Sequence, residues 1–345
     1  MASFQNLNIA DNLKEILVDN SNNSIAQQTW SAYKTAERKL MAFSEETNIP
    51  VALPLTEDTV LAFSAWILNS GVSASTLETY LSGIRMTHLA AGENPPQLRT
   101  PLVSAVIQGK KNKDNIKKRA GLTPTRLPIT PSLLKLMKLE LADLNMKNKD
   151  KKMIWAAATM AFSGGLRGGE FLAKESMSFD PTTTLREKDL SLDSFTVNGK
   201  DEEILKLKLK AEKQNKTSRI TICDIYPSAS SICPVRAYKK WLEAKSHFNP
   251  DMPAFRFDSG ENLTINSFNK LLKTIFSKHL TGLNGVISSH SFRIGLASCL
   301  GSLGFAEERI MSAGRWSSRA YQAYLKLPRT KRLEMARAIS NITDI

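Results

Sequence analysis

Cysteine is scarce in this sequence, and what there is does not pair by spacing. Cys223, Cys233 and Cys299 are odd in number and form no CxxC. That disfavours a disulfide framework or a zinc finger and suits a reducing compartment. No apolar run approaches the ~18 residues that cross a bilayer, so no membrane partner is expected. The opening stretch MASFQNLNIADNLKEILVDN has neither the basic start nor the apolar core of a secretory signal. Carboxylates are outnumbered, 33 Asp and Glu against 47 Lys and Arg, which leaves a net charge of +14. An excess of that size favours a polyanionic partner over a small acidic molecule. Repeats and low-complexity segments are missing as well. What remains is a chain of 345 residues, 42% hydrophobic and 23% charged, long enough for two domains with real cores.

The first part reads as helix throughout. In SIAQQTWSAYKTAERKLMAF, residues Trp30, Tyr33, Leu40 and Phe43 recur at helical spacing and form one apolar stripe. PLTEDTVLAFSAWILNSG predicts a second helix, capped by Thr56, with acids in its first turn and Gly71 past its end. SASTLETYLSGIRMTHLAAG predicts a third, opened by a Ser75/Glu78 capping box and stopped by Gly92. A fourth, shorter helix is expected from Leu102 to Lys111. Together they predict a small four-helix domain over residues 23–112, after a flexible N-terminus at 1–22.

Residues 113–129 are expected to be a basic, extended linker. From Gly109 to Arg126 the chain carries Lys110, Lys111, Lys113, Lys117, Lys118, Arg119 and Arg126 against the single acid Asp114. Pro124 and Pro128 bias the residues before them away from helix. Two readings compete for this run, a solvated connection and a strap that tracks phosphates and doubles as a nuclear-localisation segment.

From 130 to 345 the pattern is mixed. TPSLLKLMKLELADL and KKMIWAAATMAFSGGLRGGEFL predict helices, the second interrupted by glycines around Arg167. SFTVNG, EILKLKLK and RITICD predict short strands; the second alternates Leu with Lys, as a half-exposed strand does. AEKQNKTS joins the last two as a polar hairpin loop. Helices follow at CPVRAYKKWLEA, TINSFNKLLKTIFSKHL, SHSFRIGLASCLGSLG, AEERIMSAG, SSRAYQAYLKL and RTKRLEMARAIS. The expected fold is mainly α, with one small antiparallel sheet in the second domain.

Five elements stand in order across that second domain: GLRGGE around Arg167, a hairpin lysine, SHSFR with His290 and Arg293, AGRW with Arg315 and Trp316, and AYQAYLK with Tyr321 and Tyr324. Singly each has a bland reading, as a loop arginine, a solvated lysine, a capped helix start or a core aromatic. Jointly they resemble the tyrosine recombinases, the phage-integrase family, and the wording of GRWSSRAYQAYLK is similar to eukaryotic mobile-element recombinases of the Crypton type. The helical first half looks like that family's SAM-like core-binding domain, so the resemblance covers nearly the whole chain. It implies a DNA-breaking and rejoining enzyme whose catalytic residues are Arg167, Lys213, His290, Arg293, Trp316 and Tyr324.

The chemistry calls for these residue types. A pentacoordinate phosphorane carries extra negative charge on its non-bridging oxygens, and two planar, permanently charged guanidiniums suit it. Arg167 and Arg293 fit that part. A tyrosine must lose its proton as it attacks. By resemblance Tyr324 is the nucleophile, forming a 3′-phosphotyrosyl bond, and a hairpin lysine protonates the leaving 5′-oxygen. Lys210, Lys213 and Lys216 compete for that part; Lys213 is preferred because it sits inside the turn. His290 lies one helical turn from Arg293 and can serve acid–base and oxygen-holding roles. Glu170 supports Arg167. Tyr324 follows Trp316 by eight positions and Arg315 by nine; Trp316 is preferred as the functional match, with Arg315 either on phosphate or in solvent. Tyr321 is the competing nucleophile, its bland reading being packing.

The resemblance implies no metal, no ATP and no other cofactor. It implies double-stranded DNA with inverted half-sites as partner, held between the two domains with the basic residues on its backbone. Dimers on a site would pair as a tetramer in synapsis, with the C-terminal segment after Pro328 docking on a neighbour or on its own domain. The setting would be intracellular and DNA-associated, in the nucleus of a eukaryote or the cytoplasm and nucleoid of a prokaryote. Two alternatives remain open, DNA relaxation in the manner of a type IB topoisomerase and a domesticated DNA-binding protein without catalysis.

Overall fold

The computed structural model describes residues 10–23, 27–210, 220–245, 247–279 and 285–325; of residues 17, 18, 21–23, 27, 28, 323 and 324 it describes the backbone alone. The described residues divide into two compact units between Thr123 and Pro124.

The first unit is helical: α1 (Asp11–Asn23), α2 (Gln27–Thr47), α3 (Glu57–Asn69), α4 (Ala74–Ala91) and α5 (Pro101–Arg119). Its core joins Leu40 and Phe43 of α2, Phe63 and Ile67 of α3, Leu77, Leu81 and Ile84 of α4, and Val103 and Ile107 of α5. Helices α2 and α4 cross closely at Gly83, where an added Cβ would stand 2.9 Å from the Ala36 methyl. His88 is fully buried; its Nε2 accepts from the Leu55 N–H at 3.0 Å and its Nδ1 lies 2.8 Å from the Ile84 carbonyl. Those two partners require the neutral Nδ1–H tautomer, so this histidine is a core strut.

Three expectations change here. Residues 11–22, expected in a flexible N-terminus, lie in α1, with Asp11 in its first turn. The cap of α4 is Ser73, which accepts from the Thr76 N–H, and not Ser75. The helix expected to end at Lys111 continues to Arg119. Thr100 caps it, Pro101 opens it, and lysine is a good helix former whose charge in the last turn complements the carbonyl end. The stop is Gly121 at φ +69, with Leu122 N–H donating to the Lys117 carbonyl and Gly121 N–H to that of Lys118. The prolines therefore act only beyond it, and six of the seven basic residues lie on a helix.

In the second unit, α6 (Pro131–Asp143) and α7 (Asn148–Ser163) are followed by the short α8 (Gly168–Phe171). Helix α7 is the central element: Ala156, Ala157, Ala158, Met160 and Ala161 are all fully buried, the small side chains letting neighbours approach from every side. Strands β2 (Leu190–Val197), β3 (Lys200–Leu209) and β4 (Thr221–Ile225) form an antiparallel sheet in that order. Asn198 and Gly199, both at positive φ, make the two-residue turn between β2 and β3. In β3, Leu205, Leu207 and Leu209 face the core while Lys206 and Lys208 face outward. Then come α9 (Pro234–Ala244), α10 (Ile265–Phe276), α11 (His290–Ser302) and α12 (Glu307–Gly314), and a 3₁₀ turn at Arg319–Tyr324 where a helix was expected. Before α6, β1 (Thr125–Arg126) pairs in parallel with β5 (Gly285–Val286). Two further bonds, Leu127 N–H to Val286 O and Ile129 N–H to Ser291 O, tie this segment to β5 and to the start of α11. The end of the expected linker is thereby built into the second unit.

Candidate active site

The site forms where the end of α7, the short α8, the start of α11 and the end of α12 converge. Helix α7 stops at two glycines, and Gly165 adopts φ +53, a conformation L side chains rarely take. This turn leaves Arg167 at the N-terminus of α8. Its backbone N–H donates to Glu170 Oε2 at 2.8 Å and its Nη1 to Oε1 at 2.7 Å. Glu170 is buried, and its Oε2 also accepts from Arg315 Nη2 at 2.8 Å. One carboxylate thus lies between two guanidiniums. Arg167 keeps 25% of its side chain exposed and Arg315 13%, so Arg167 is the one that faces outward.

Arg293 occupies the floor. Only 2% of it is exposed, its Nη1 donates to the Gly165 carbonyl at 2.5 Å, and its guanidinium lies 4.3 Å from the centre of the Trp316 ring. Trp316 reaches it because Arg315 turns the chain through the left-handed region at φ 54, ψ 46. Gly314 makes room for the indole, since a Cβ there would lie 1.7 Å from a ring carbon. The ring also packs on Tyr321, at 5.6 Å between centroids.

His290 is the first residue of α11, part-buried above Arg293. Its imidazole pKa is lowered to about 4, first by burial and then by the positive charges of Arg126, Arg293 and Arg167. The ring is therefore neutral at neutral pH. Close approach of α8 to this start is permitted by Gly168, whose added Cβ would sit 2.8 Å from Ser289 Oγ.

Arg167, His290, Arg293 and Trp316 are brought together, with Glu170 behind Arg167. Arg315 differs from both readings given it. It points neither at an open phosphate position nor into solvent, but inward, to Glu170, to the Gly164 carbonyl at 2.6 Å and to Cys223 Sγ at 3.2 Å. Burial pushes the Cys223 thiol up, so that contact is to a neutral sulfur. Ser289 makes no side-chain cap; instead the Ser288 N–H donates to Ser291 Oγ at 3.0 Å. Tyr321 is 1% exposed within a cluster of Ala297, Ile310 and Trp316, and burial and the Glu307 carboxylate raise its pKa. Lys210 is held by Asp189, both side chains largely buried. Lys213 and Lys216 and the C-terminal segment lie outside the described residues, as does the side chain of Tyr324, whose backbone ends the 3₁₀ turn.

The sequence reading missed the proximity of Arg126 to His290. In the sequence Arg126 stands with the linker lysines, and two-residue strands carry no alternation by which pairing could be read. Of that group, Lys113, Lys117, Lys118 and Arg119 are exposed on α5, while Lys110 pairs with Asp114 at 2.8 Å and Lys111 with Glu78 at 3.0 Å.

The fold is that of the tyrosine recombinases and integrases, mainly α with one small antiparallel sheet. The chain is similar to XerH site-specific recombinase bound to palindromic difH substrate, with a TM-score of 0.57 and 15% identity over 90% of this chain and 79% of that one. A lambda integrase dimer bound to a core site gives 0.56 and 15%, covering 92% and 75%. The Tn1549 transposon integrase in complex with circular intermediate DNA gives 0.54 and 13%, covering 92% and 96%. No family model and no curated protein matches the chain. Among the described residues, no helix is long and apolar enough to cross a membrane.

Proposed function

We propose that this chain is a site-specific DNA recombinase that cuts and rejoins duplex DNA through a 3′-phosphotyrosyl intermediate. The observation that carries this reading is the pairing of two oriented guanidiniums, Arg167 on Glu170 and Arg293 on Gly165 O and Trp316, beside a neutral His290. Fixed donors of this kind stabilise charge that develops on a phosphorane without reorganising at the moment of reaction.

In the proposed step the Tyr324 oxygen attacks phosphorus as its proton passes to the neutral imidazole of His290. Arg167 and Arg293 hold the non-bridging oxygens. The bond from phosphorus to the 5′-oxygen breaks, and that oxygen takes a proton from a hairpin lysine. Lys210 is engaged by Asp189, which leaves Lys213 and Lys216, and Lys213 remains our choice. Rejoining reverses each transfer, so no external energy source is required.

The exposed cations of α5, Lys113, Lys117, Lys118 and Arg119, together with Lys110, Lys111 and Arg126, are proposed to contact backbone phosphates. Their share of the affinity would then be steeply salt-dependent. The substrate is proposed to carry inverted half-sites, each bound by one chain, with two dimers joining in synapsis. The deciding experiment incubates the protein with candidate target duplexes and looks for an SDS-resistant covalent adduct. Wild type and Tyr321→Phe are expected to form it and Tyr324→Phe to fail. An adduct kept by Tyr324→Phe and lost in Tyr321→Phe overturns the nucleophile, and no adduct from wild type on any duplex favours a DNA-binding protein without catalysis.

A further inference from the structure

A second concentration of positive charge lies away from the candidate active site. Helices α6, α7 and α9 line an open cavity of about 270 Å³ whose wall carries Lys138, Lys151, Lys152, Arg236 and Lys240, with no aspartate or glutamate. The neighbouring cleft between the β2–β3 hairpin and α9, about 990 Å³, shares Arg236 and Lys240 but also has Asp201, Glu202, Glu203 and Glu243 on its wall. Among the described residues, none of the five cations has a carboxylate partner, although Lys147 and Lys149 close by both pair with Asp258.

Three of the five charges are held in place without being neutralised. Lys138 lies over the Trp155 ring at 5.5 Å with its ammonium 3.5 Å from the Ser231 carbonyl. Lys151 donates to the Ala142 carbonyl at 2.5 Å and Arg236 to the Ser228 carbonyl at 3.2 Å. Carbonyls and a ring orient an ammonium while leaving its full charge available to a ligand. Five like charges facing one cavity repel one another, and an anion bound among them removes that cost. Lys152 precedes the end of α7 by eleven residues, about 16 Å of helix, so this cavity is separate from Arg167 beyond that end.

We propose that this cavity is a second anion site, and that its ligand is a cluster of phosphate groups. Two sources offer that chemistry, a free polyphosphate and the phosphates of a DNA backbone. The inference does not depend on strand cleavage at the candidate active site.

The test titrates the full-length chain with tripolyphosphate by calorimetry at low salt, comparing wild type with Lys152→Gln/Lys240→Gln, Lys152→Arg/Lys240→Arg and Arg167→Gln. Wild type and the arginine double variant are expected to bind alike, and the glutamine double variant at least about tenfold more weakly. Its melting temperature without anion should equal or exceed that of wild type, since a repulsion has been removed. Equal binding by wild type and the glutamine variant, or loss of binding in Arg167→Gln alone, overturns the proposal. Duplex DNA forms the second arm. A shallower salt dependence in the glutamine variant assigns the phosphates to a DNA backbone, whereas an unchanged one, with tripolyphosphate binding lost, assigns them to a free polyphosphate.

Discussion

The guanidinium of Arg293 lies against the Trp316 ring, 4.3 Å from its centre, while its Nη1 donates to the Gly165 carbonyl. The ring and the carbonyl fix one plane for a side chain that otherwise has many rotamers, so its orientation is set before any phosphate arrives. Trp316→Ala removes the ring from the cluster with Ala297, Ile310 and Tyr321 and should cost about 3 kcal/mol in urea denaturation. Trp316→Phe should keep most of that stability. In both, adduct formation should fall further than DNA affinity, because the lost property is the aim of Arg293 and not its charge.

Glu170 is the support shared by Arg167 and Arg315. Glu170→Gln preserves shape but leaves two guanidiniums facing an amide, and the breaking of such a buried pair should cost about 3 kcal/mol. Arg315→Lys retains one charge on the carboxylate but loses the simultaneous reach to Gly164 O and Cys223. Thermal melts should rank Glu170→Gln below Arg315→Lys, and both below wild type.

His290 gives the protein a pH response of definite sign. Its folded pKa, about 4, is below the ordinary 6.5, so between those values the unfolded chain binds more protons than the folded one. The contribution of His290 therefore leaves stability unreduced above pH 6.5 and lowers it as pH falls toward 4. On the proposed function, a phosphate in the site offsets the arginine charges and should raise the imidazole pKa, so DNA binding should take up a proton within that window. Titration of the His290 ring by NMR should show an upward shift in Arg126→Gln, since Arg126 follows burial among the causes. An unchanged titration would remove Arg126 from the site.

Much of this was legible in the sequence because it rests on local rules. Thr56 and Gly92 cap where capping chemistry places them, and the Leu and Lys alternation of β3 gives its buried and exposed faces. Arg167 with Glu170 could be read from three-residue spacing on a helix start. What could not be read depends on contacts between distant segments. Arg315 is expected from sequence on phosphate or in solvent, yet its left-handed backbone turns it inward to a carboxylate supplied by α8. Arg126 reaches the site through a two-residue parallel strand pair and the two backbone bonds that follow it. The lysine run on α5 is helical for a different reason: lysine is a good helix former, and Pro124 and Pro128 act only beyond the helix end.

Gly295 tests whether that strand pair matters to the site. It lies on α11 facing the Pro124–Ile129 segment, and an added Cβ would fall 1.9 Å from the Ile129 carbonyl oxygen, which backbone cannot avoid by rotating a side chain. Gly295→Ala must push the segment away from α11 and strain the bond from Ile129 N–H to Ser291 O. Overpacking of this kind should cost about 1–3 kcal/mol, a fall in melting temperature of roughly 3 °C or more. The informative readout is the imidazole of His290. Displacing β1 carries Arg126 away, so the ring should titrate higher in Gly295→Ala, by an amount that Arg126→Gln reproduces and that the double variant does not exceed. A destabilised Gly295→Ala with an unmoved His290 titration would mean that the segment anchors α11 without tuning the site.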